Sequence, residues 1–224
     1  AQKMKIWLES VTARVDEKYR KLYQATLDIV KGEAGAEDAL RRIRVRFEEV
    51  NARSVEPVQC TRDQVELFCQ AARVRKRADA FMKRYEARKG GQLKPHAPLK
   101  RNARVAEKVM LRPGHGERNA EHIFDVVRNM YEASTLREVA DVVDDICACD
   151  AIEVVRIKDR FHEPSPGGWS DCMINYVLRD DPHRHICELQ IAHTKLIVQR
   201  RELKAHAVYG HTRNAPELLE KLEG

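Results

Sequence analysis

The sequence lacks the features of a membrane protein, a disulfide-bonded domain or a common zinc site. No stretch approaches the roughly 18 consecutive apolar residues that a membrane-spanning helix requires. The six cysteines are thinly spread and include no Cys-x-x-Cys pair, which argues against a disulfide framework and against a zinc site of common spacing. We therefore expect a soluble protein with reduced thiols from a reducing compartment. The sequence does not distinguish the cytoplasm from an organellar matrix.

Aromatic residues are also few, at 6% of the chain, and we find no nucleic-acid-binding motif. The formal net charge is only +6, but positive charge is concentrated between residues 71 and 112, where 14 Lys and Arg stand against three Asp and Glu. Such a basic block attracts phosphate groups. Without interleaved aromatic residues, it is consistent with either an RNA contact or a solvated helix face.

The first 90 residues carry helical periodicity and no candidate site. Apolar residues recur every three or four positions in two stretches, which predicts two amphipathic helices. The two stripes are Trp7, Val11, Val15, Tyr19 and Leu22, and then Leu40, Ile43, Phe47 and Val50. A third helix is predicted from Thr61, whose spacing to Gln64 fits a capping box. Because narrow stripes do not close a core of their own, we predict that residues 1–90 are a helical extension that docks on the rest of the chain or on a protein partner.

The remaining residues, 91–224, are predicted to form an α+β domain. Helices are expected at 98–110, 136–147 and 194–203 with a helical tail from Pro216, and strands at 123–130, 152–157, 172–178 and 185–191. A capping-box pair, Thr135 and Glu138, precedes the second of these helices. The helical crossover favours a parallel pair for the first two strands, whereas the short turn after the third requires antiparallel neighbours. The sheet should therefore be mixed.

Three cations recur at every fourth position after Pro98. On a helix that begins there, Lys100, Arg104 and Lys108 would lie on one face. Like charges at this spacing repel each other, so the pattern suits an anionic ligand such as a triphosphate. A solvated helix face is the alternative.

Two carboxylates interrupt the predicted strands. Asp125 is placed at the head of the first strand and Glu188 within the last. A carboxylate in a central strand is costly unless it is paired or metal-bound. If the two strands are neighbours, both acids could face one Mg²⁺, which prefers a few carboxylates plus substrate phosphate oxygens. For either acid alone, a salt bridge to a nearby basic residue is the alternative.

A charged run and a glycine-rich loop follow the second predicted strand. Residues 156–161 form the charged run, which includes Lys158, and residues 164–169 form a loop that ends in Gly-Gly-Trp. Such a loop can bring the Trp169 ring against a nucleobase. A buried Trp169 that anchors the loop is the alternative.

Six short motifs follow one another in a fixed order along the chain. They are Pro98 with Lys100, Arg104 and Lys108; Asp125 with Arg128; Val154, Arg156, Lys158 and Asp159; Pro164, Gly168, Trp169 and Asp171; Glu188 with Gln190; and His206 with Tyr209. Over residues 97–213 this order resembles the RelA/SpoT family of guanosine tetra- and pentaphosphate synthetases. In chain order, the typical motifs of the family are a proline with a K-x-x-x-[S/R]-x-x-x-K helix, a D-[IL]-x-R strand, a V-x-[RK]-x-K-D segment, a P-x-x-x-G-Y-[RS]-[DS] loop, an E-[IV]-Q strand and a late H-x-x-Y. Each motif is weak alone, and the shared order is what is specific.

The resemblance implies a nucleotidyltransferase-like mixed sheet flanked by helices, preceded by an all-α extension. It implies Mg²⁺-dependent transfer of pyrophosphate from ATP to the 3′-hydroxyl of GDP or GTP, with Asp125 and Glu188 as the catalytic residues. Asp125 would bind Mg²⁺, and Glu188 would act at the acceptor hydroxyl as metal ligand or base. Trp169, preceded by Gly168, takes the position of the tyrosine that stacks on guanine. The residues implied at the ATP phosphates are Lys100, Arg104, Lys108, Arg128, Lys158 and His206.

The chain also departs from the family pattern. Trp169-Ser170 replaces the usual Tyr-Arg, and Ala205 precedes His206 where relatives usually have glycine. The sequence has no His-Asp dipeptide, so hydrolysis of the product by the family's hydrolase half is not expected. The alternative to an active synthetase is a catalytically inactive relative that serves as a structural or RNA-contacting subunit of a larger assembly.

Overall fold

The computed structural model describes residues 2–53, 55–89, 92–93, 98–111 and 119–203. The helices in these ranges are α1 (Gln2–Lys31), α2 (Ala36–Arg53), α3 (Gln64–Lys89), α4 (Asn102–Leu111), α5 (Leu136–Cys147) and α6 (Thr194–Glu202). The strands are β1 (Gln92–Leu93), β2 (Arg128–Ala133), β3 (Ile152–Asp159), β4 (Cys172–Leu178) and β5 (Cys187–His193). None of these helices combines the length and apolar character that crossing a bilayer would require. The helical tail predicted from Pro216 lies outside the described residues.

Local capping signals set two of the helix starts. At α5, Thr135 Oγ1 accepts a hydrogen bond from Glu138 N at 3.1 Å, and Glu138 Oε2 accepts one from Ser134 N at 2.7 Å, so the predicted capping box forms. At α3, the prediction of a start at Thr61 is wrong. Asp63 Oδ1 accepts from the backbone N–H three residues later, at 2.7 Å, and therefore caps a helix that begins at Gln64.

The strands form one mixed sheet in the order β1-β2-β5-β4-β3. β2 and β5 are parallel, and the other neighbours are antiparallel, so the predicted α+β fold with a mixed sheet is confirmed. The prediction that the first two strands are parallel is confirmed in direction, but the two strands do not pair with each other. β2 and β3 run in the same direction, but β5 and β4 lie between them, because α5 carries the chain across to the far edge and the later strands fill the gap.

The first long strand begins later than the sequence predicted. The prediction covered residues 123–130, but β2 starts at Arg128. The preceding residues are apolar and buried, yet the carbonyl of Val126 accepts a hydrogen bond from the backbone N–H of Lys100 at 3.1 Å rather than from a neighbouring strand. Asp125 therefore lies in the buried segment that leads into β2, not in the strand itself.

The two faces of the sheet differ in chemistry. Residues paired directly across strands share a face, and Arg128, Glu188, Asn175 and Arg156 form one such row across β2, β5, β4 and β3. The opposite face is apolar and packs into the main hydrophobic cluster. Its buried residues include Ile174, Tyr176, Leu189 and Ile191. The polar row therefore marks the face on which a site is to be sought.

The N-terminal helices share the core of the sheet. The main cluster includes Leu27, Val30, Ile43, Leu67 and Met82 from α1 to α3 together with the apolar face of the sheet. Arg42 and Arg46 of α2 also form ion pairs of 2.6 Å with Asp144 of α5. The described helices thus pack directly on the C-terminal part of the chain. A domain division near residue 91 and a protein partner for the helices remain predictions.

Four of the six cysteines, Cys147, Cys149, Cys172 and Cys187, pack in or against the main cluster, whereas Cys60 and Cys69 are exposed. None of the six forms a disulfide. Cys147 is partly buried against the main cluster, and burial raises the pKa of its thiol to about 11. Cys172 and Cys187 are fully buried on the apolar face, where burial likewise raises their thiol pKa values. The thiolate forms that metals and oxidants require are therefore disfavoured.

Candidate active site

Asp125 lies at the centre of a buried ion-pair cluster. Its Oδ2 accepts hydrogen bonds from Lys100 Nζ at 2.5 Å and from Lys108 Nζ at 2.8 Å. Its Oδ1 is buried and has no hydrogen-bond partner in the described part of the chain. We call Lys100, Lys108, Asp125 and Glu188 the carboxylate corner.

Lys100 reaches this corner by a route that the sequence did not predict. The prediction placed Lys100 on a helix starting at Pro98, but α4 starts at Asn102, because the backbone N–H of Lys100 is committed to the Val126 carbonyl. Lys100 therefore lies in the extended segment before the helix, whereas Lys108 lies within it. The two ammonium groups still converge, but on Asp125 rather than as part of one helix face.

The charges of this cluster shift each other's pKa values. Burial alone would raise the pKa of Asp125, but the ammonium groups of Lys108 and Lys100 outweigh it and hold the pKa well below its usual range. Burial also lowers the pKa of Lys100 to about 8, although Asp125 opposes this shift. Asp125 therefore stays ionised at neutral pH.

Glu188 is positioned by the parallel pair of strands. It lies directly opposite Arg128 of β2 and Asn175 of β4. Its backbone N–H donates to the Val127 carbonyl at 2.9 Å, which ties β5 to the segment carrying Asp125. Gln190 Nε2 donates to Glu188 Oε1 at 3.0 Å. The sequence analysis expected Asp125 and Glu188 to face one Mg²⁺ if their strands are neighbours. β5 does pair with β2, the strand that follows Asp125.

The environment of Glu188 disfavours its charged form. The residue is only 7% exposed. Burial first, and then the negative charge of Asp125, raise its pKa to about 7, while Lys108 opposes the shift. Two carboxylates close in space thus have opposite pKa shifts, because the two lysines neutralise Asp125 directly and Glu188 does not receive the same contacts.

The other predicted phosphate-binding cations occupy different surroundings. Arg128 shares the row of Glu188 on the polar face, and its positive charge helps to lower the pKa of Lys100. Lys158 lies on the same face one row further along, paired with Met173, and its side chain is exposed. Arg104 forms an ion pair with Glu107 on its own helix. His206 lies outside the described residues.

Trp169 packs against the main cluster and is held by three different groups. Its indole Nε1 donates to Asp171 Oδ2 at 2.8 Å. The Arg200 guanidinium carbon lies over the ring, 4.6 Å from its centroid, and the Tyr23 ring meets it edge-on at 5.7 Å. We call Tyr23, Trp169, Asp171 and Arg200 the indole corner. These contacts show that the Trp169 ring anchors the loop. Base stacking on the same ring stays a prediction.

Gly168 is required by this arrangement. Its φ is +88°, and a Cβ built on it would lie 2.8 Å from the Arg20 Cα. The Arg20 guanidinium also donates to the Pro166 carbonyl, at 3.1 Å from Nε and 3.0 Å from Nη2. The loop after β3 is therefore seated closely on α1, which the sequence did not indicate.

Asp171 is a site residue that the sequence analysis did not assign. Its side chain is fully buried, and its Oδ1 accepts from Arg160 Nη1 at 2.9 Å while its Oδ2 binds the indole. Its negative charge adds to the raised pKa of Glu188. The available signal was an acid two residues after Trp169, immediately before β4.

The residues of the carboxylate corner fit Mg²⁺. Within the described residues, Asp125 Oδ1 is buried without a hydrogen-bond partner and the buried Glu188 carboxylate forms no ion pair, so both hard oxygen donors would be stabilised by a divalent cation. No cluster of three or more His, Cys, Asp or Glu side chains suited to a metal occurs among the described residues. Mg²⁺ does not need one, since it commonly binds one or two carboxylates together with substrate phosphates.

Comparison with known proteins identifies the fold. No protein-family model matches the sequence, and no curated protein sequence matches it significantly. Among solved structures, small alarmone synthetase 2 of Bacillus subtilis is 19% identical over 70% of this chain and 89% of its own, with a TM-score of 0.50. Small alarmone synthetase 1 of the same organism, bound to its product pppGpp, is 16% identical over 70% of this chain and 89% of its own, with a TM-score of 0.44. The first likeness shows that this chain has a RelA/SpoT-like nucleotidyltransferase fold.

Proposed function

We propose that this protein transfers pyrophosphate from ATP to the 3′-hydroxyl of GDP or GTP. The fold is that of a small alarmone synthetase, which supports a pyrophosphokinase-like activity in general terms. The reaction and its substrates are inferred from the carboxylate corner, from the indole corner and from the motifs that the sequence shares with the RelA/SpoT family. ATP and a guanine nucleotide are thus the proposed small-molecule partners.

The observation that carries the proposal is the pair of buried carboxylates, of which Asp125 is bonded to two lysines and Glu188 accepts a hydrogen bond from Gln190. Asp125 remains anionic because two lysines contact it. Glu188, with a pKa raised to about 7, can accept a proton near neutral pH, as a general base must. We assign Glu188 to accept the proton of the 3′-hydroxyl as its oxygen attacks the β-phosphorus of ATP, with AMP as the leaving group. The two shifts thus separate the roles of two similar side chains.

The cations around this pair suit a polyphosphate. Lys100, Lys108 and Arg128 lie at or beside the carboxylate corner, and phosphoryl-type transfer depends mainly on charge neutralisation and in-line positioning. Bound Mg²⁺ would supply further neutralisation of the phosphate charge, with Asp125 as its protein ligand and Glu188 left to act as the base. Lys158 and His206 are proposed as further phosphate contacts. Arg104 would first have to leave Glu107.

The acceptor base is assigned to the indole corner. Trp169 offers a large aromatic ring, and aromatic stacking contributes about 1–3 kcal/mol per base. Gly168 keeps the loop close to α1 and so fixes the position of the Trp169 backbone, from which the ring extends. Guanine stacking on Trp169 would leave the sugar directed toward the carboxylate corner for attack on ATP.

The direct test is synthesis by the purified chain. ATP labelled in its γ-phosphate is incubated with Mg²⁺ and GDP or GTP, and products are separated by ion-exchange chromatography. We expect a labelled guanosine tetra- or pentaphosphate that is lost when EDTA is added. 3′-Deoxy-GTP should give no product, because the attacking oxygen is missing. Absence of product from folded protein in Mg²⁺ would contradict the proposal.

A second candidate function is favoured by the contacts of Arg200 and Arg104. One ring face of Trp169 is covered by Arg200, and Arg104 is paired with Glu107, as would suit a catalytically inactive relative in a structural role. Such a protein, as a structural or RNA-contacting subunit, should show no thermal stabilisation by millimolar ATP or GDP. A rise in melting temperature with either nucleotide would exclude this reading.

A further inference from the structure

The loop that carries Trp169 is closed by its own backbone. The Ser165 N–H donates to the Trp169 carbonyl at 3.0 Å, and the Gly168 N–H donates to the Ser165 carbonyl at 2.7 Å. The Trp169 N–H in turn donates to Ser165 Oγ at 3.1 Å. Both backbone polar groups of Trp169 are thus bonded to Ser165, so the position of this turn sets the position from which the indole extends.

Residues 165–169, which we call the indole turn, include the two glycines Gly167 and Gly168. Gly168 has a φ of +88°, which glycine adopts without strain, and glycine loses more conformational freedom on ordering than any other residue. The hydrogen bonds within the turn fix its shape but not its place on the molecule. Contacts from outside the turn must therefore hold it there, and the bond from the indole to Asp171 is one of them.

The helix α1 supplies further contacts from a single face. Asp16, Arg20 and Tyr23 follow one another at spacings of four and three residues, so they lie on the same side of the helix. A Cβ built on Gly167 would meet the Asp16 carboxylate at 3.5 Å, and one built on Gly168 would meet the Arg20 backbone at 2.8 Å. The Tyr23 ring packs edge-on against the indole. The indole turn is thus seated on α1 along its length.

Arg20 adds a directional bond to this packing. Its Nε and Nη2 both donate to the Pro166 carbonyl, at 3.1 and 3.0 Å. Hydrogen bonds from a charged guanidinium are stronger than neutral ones, and two donors on one oxygen also fix the direction of approach. Arg20 is exposed, so its removal would leave no hole in the core. It lies 146 positions before Pro166, outside the stretch 97–213 that carries the RelA/SpoT motifs.

We propose that Arg20 is a positioning residue for the acceptor nucleotide: by holding Pro166, it keeps the Trp169 ring in place for the guanine base before the nucleotide arrives. The inference rests on the proposed function for its ligand. A turn that is already ordered in the free protein need not be ordered on binding, so the acceptor binds more tightly. In this role Arg20 contacts neither the base nor the reacting atoms. Its effect therefore belongs to acceptor affinity and not to the rate of transfer.

The hold on the turn is tested first without nucleotide, by fluorescence of a protein whose only tryptophan is Trp169. The chain has two tryptophans, and Trp7 is 59% exposed, so Trp7→Phe provides this background. In it, Arg20→Ala should raise the acrylamide quenching constant of Trp169 and lower its fluorescence anisotropy, because the turn is released from α1. Arg14→Ala removes an exposed arginine from the same helix and should change neither quantity. Equal values in the two variants would overturn the proposal.

The consequence for the acceptor is tested by steady-state kinetics of the full chain. Arg20→Ala should raise KM for GDP by about three- to tenfold, the scale of one exposed hydrogen bond from a charged group, and should leave kcat and KM for ATP unchanged. Arg20→Lys, which keeps a cation and a donor, should recover part of the affinity. Arg14→Ala should match wild type in all three constants.

Three outcomes would overturn the proposal in different ways. A lower kcat for Arg20→Ala with KM for GDP unchanged would place Arg20 with the reacting groups. KM values for ATP and GDP that rise together would indicate a general loss of structure. If wild type makes no product from ATP and GDP or GTP, the proposed function fails and the role of Arg20 in acceptor binding fails with it. If wild type is active and Arg20→Ala has the same KM for GDP, only the positioning role fails.

Discussion

The carboxylate corner and the indole corner are built on opposite principles. In the carboxylate corner, opposite charges meet directly, yet within the described residues one oxygen of Asp125 has no hydrogen-bond partner and Glu188 is bonded only by the neutral amide of Gln190. In the indole corner, every group on the ring comes from the chain itself, through Asp171, Arg200 and Tyr23. The carboxylate corner is thus formed but has unneutralised negative charge, whereas in the indole corner one face of the Trp169 ring is already covered by Arg200. A ligand would complete the carboxylate corner.

The largest expected effect is on kcat for pyrophosphate transfer, which substitutions in the carboxylate corner should lower much more than a substitution of Trp169. Replacing either carboxylate with its amide, Asp125→Asn or Glu188→Gln, should lower kcat for pyrophosphate transfer by at least about 10²-fold, the scale of a lost general base or misplaced metal. Trp169→Phe should instead act mainly on KM for the guanine nucleotide, because the proposed role of the ring is to contact the base and not the reacting atoms. Steady-state kinetics of the labelled-ATP assay measure both constants.

The matched control for that comparison is Asp150→Asn, which neutralises an exposed aspartate outside both corners and should leave kcat unchanged. Equal kcat in wild type and Glu188→Gln would remove Glu188 from the chemistry.

The next effect separates the two carboxylates by stability, measured by urea unfolding in EDTA. The pKa of Glu188 is raised on folding, to about 7 from 4.5, so its favourable contribution is present below pH 4.5 and is lost as pH rises through 7. Glu188→Gln removes the buried charge and should raise the free energy of unfolding at pH 8 by up to about 3 kcal/mol. The gain should vanish at pH 4.

Asp125→Asn should act in the opposite direction. The pKa of Asp125 is lowered on folding, so its contribution is present above pH 3.8 and is lost only as pH falls. Neutralising it leaves Lys100 and Lys108 without their buried counter-charge and should lower the free energy of unfolding at pH 8 by about 3 kcal/mol. Shifts of the same sign in the two amide variants would contradict the assignment of opposite environments.

A smaller effect tests how firmly the indole corner is seated on α1. Gly168→Ala forces an alanine into a φ of +88° and brings its Cβ to 2.8 Å from the Arg20 backbone, which should cost about 2 kcal/mol. Gly167→Ala is the matched control, since a Cβ there meets only the Asp16 carboxylate at 3.5 Å. Thermal unfolding of both variants gives the difference. Equal melting temperatures would show that α1 is not fixed on this loop.

The smallest effect concerns the indole N–H. Trp169→Phe keeps most of the ring but leaves Asp171 Oδ2 without its donor, which should lower the free energy of unfolding by about 1.5 kcal/mol. Trp7→Phe, at an exposed position, should change it by less than about 0.5 kcal/mol. Urea unfolding followed by circular dichroism measures both, and equal loss in the two variants would argue that the Asp171 contact is unimportant.

Sequence patterns predicted which segments form helices and strands more accurately than where each begins or which strands pair with each other. The bounds of α5 and β4 are as predicted, because a capping box and flanking turn residues mark them locally. The starts of α3, α4 and β2 were misplaced, because Asp63, the Val126 carbonyl and the Lys100 backbone decide them through contacts that a propensity pattern does not contain. Pairing of β2 with β5 depends on a return of the chain over more than 50 residues, and nearest-neighbour logic assigned it to β3 instead.

What the sequence determined by itself is the kind of chemistry available, and what the tertiary structure decided is how that chemistry is distributed. The motif order supplied Asp125, Glu188, the surrounding cations and Trp169, because residue type and spacing are local properties. Opposite pKa shifts in two carboxylates arise only when burial and long-range charges act together, and the covering of Trp169 by Arg200 joins residues 31 positions apart. Burial and through-space charge depend on the folded neighbourhood, so no local pattern could specify them.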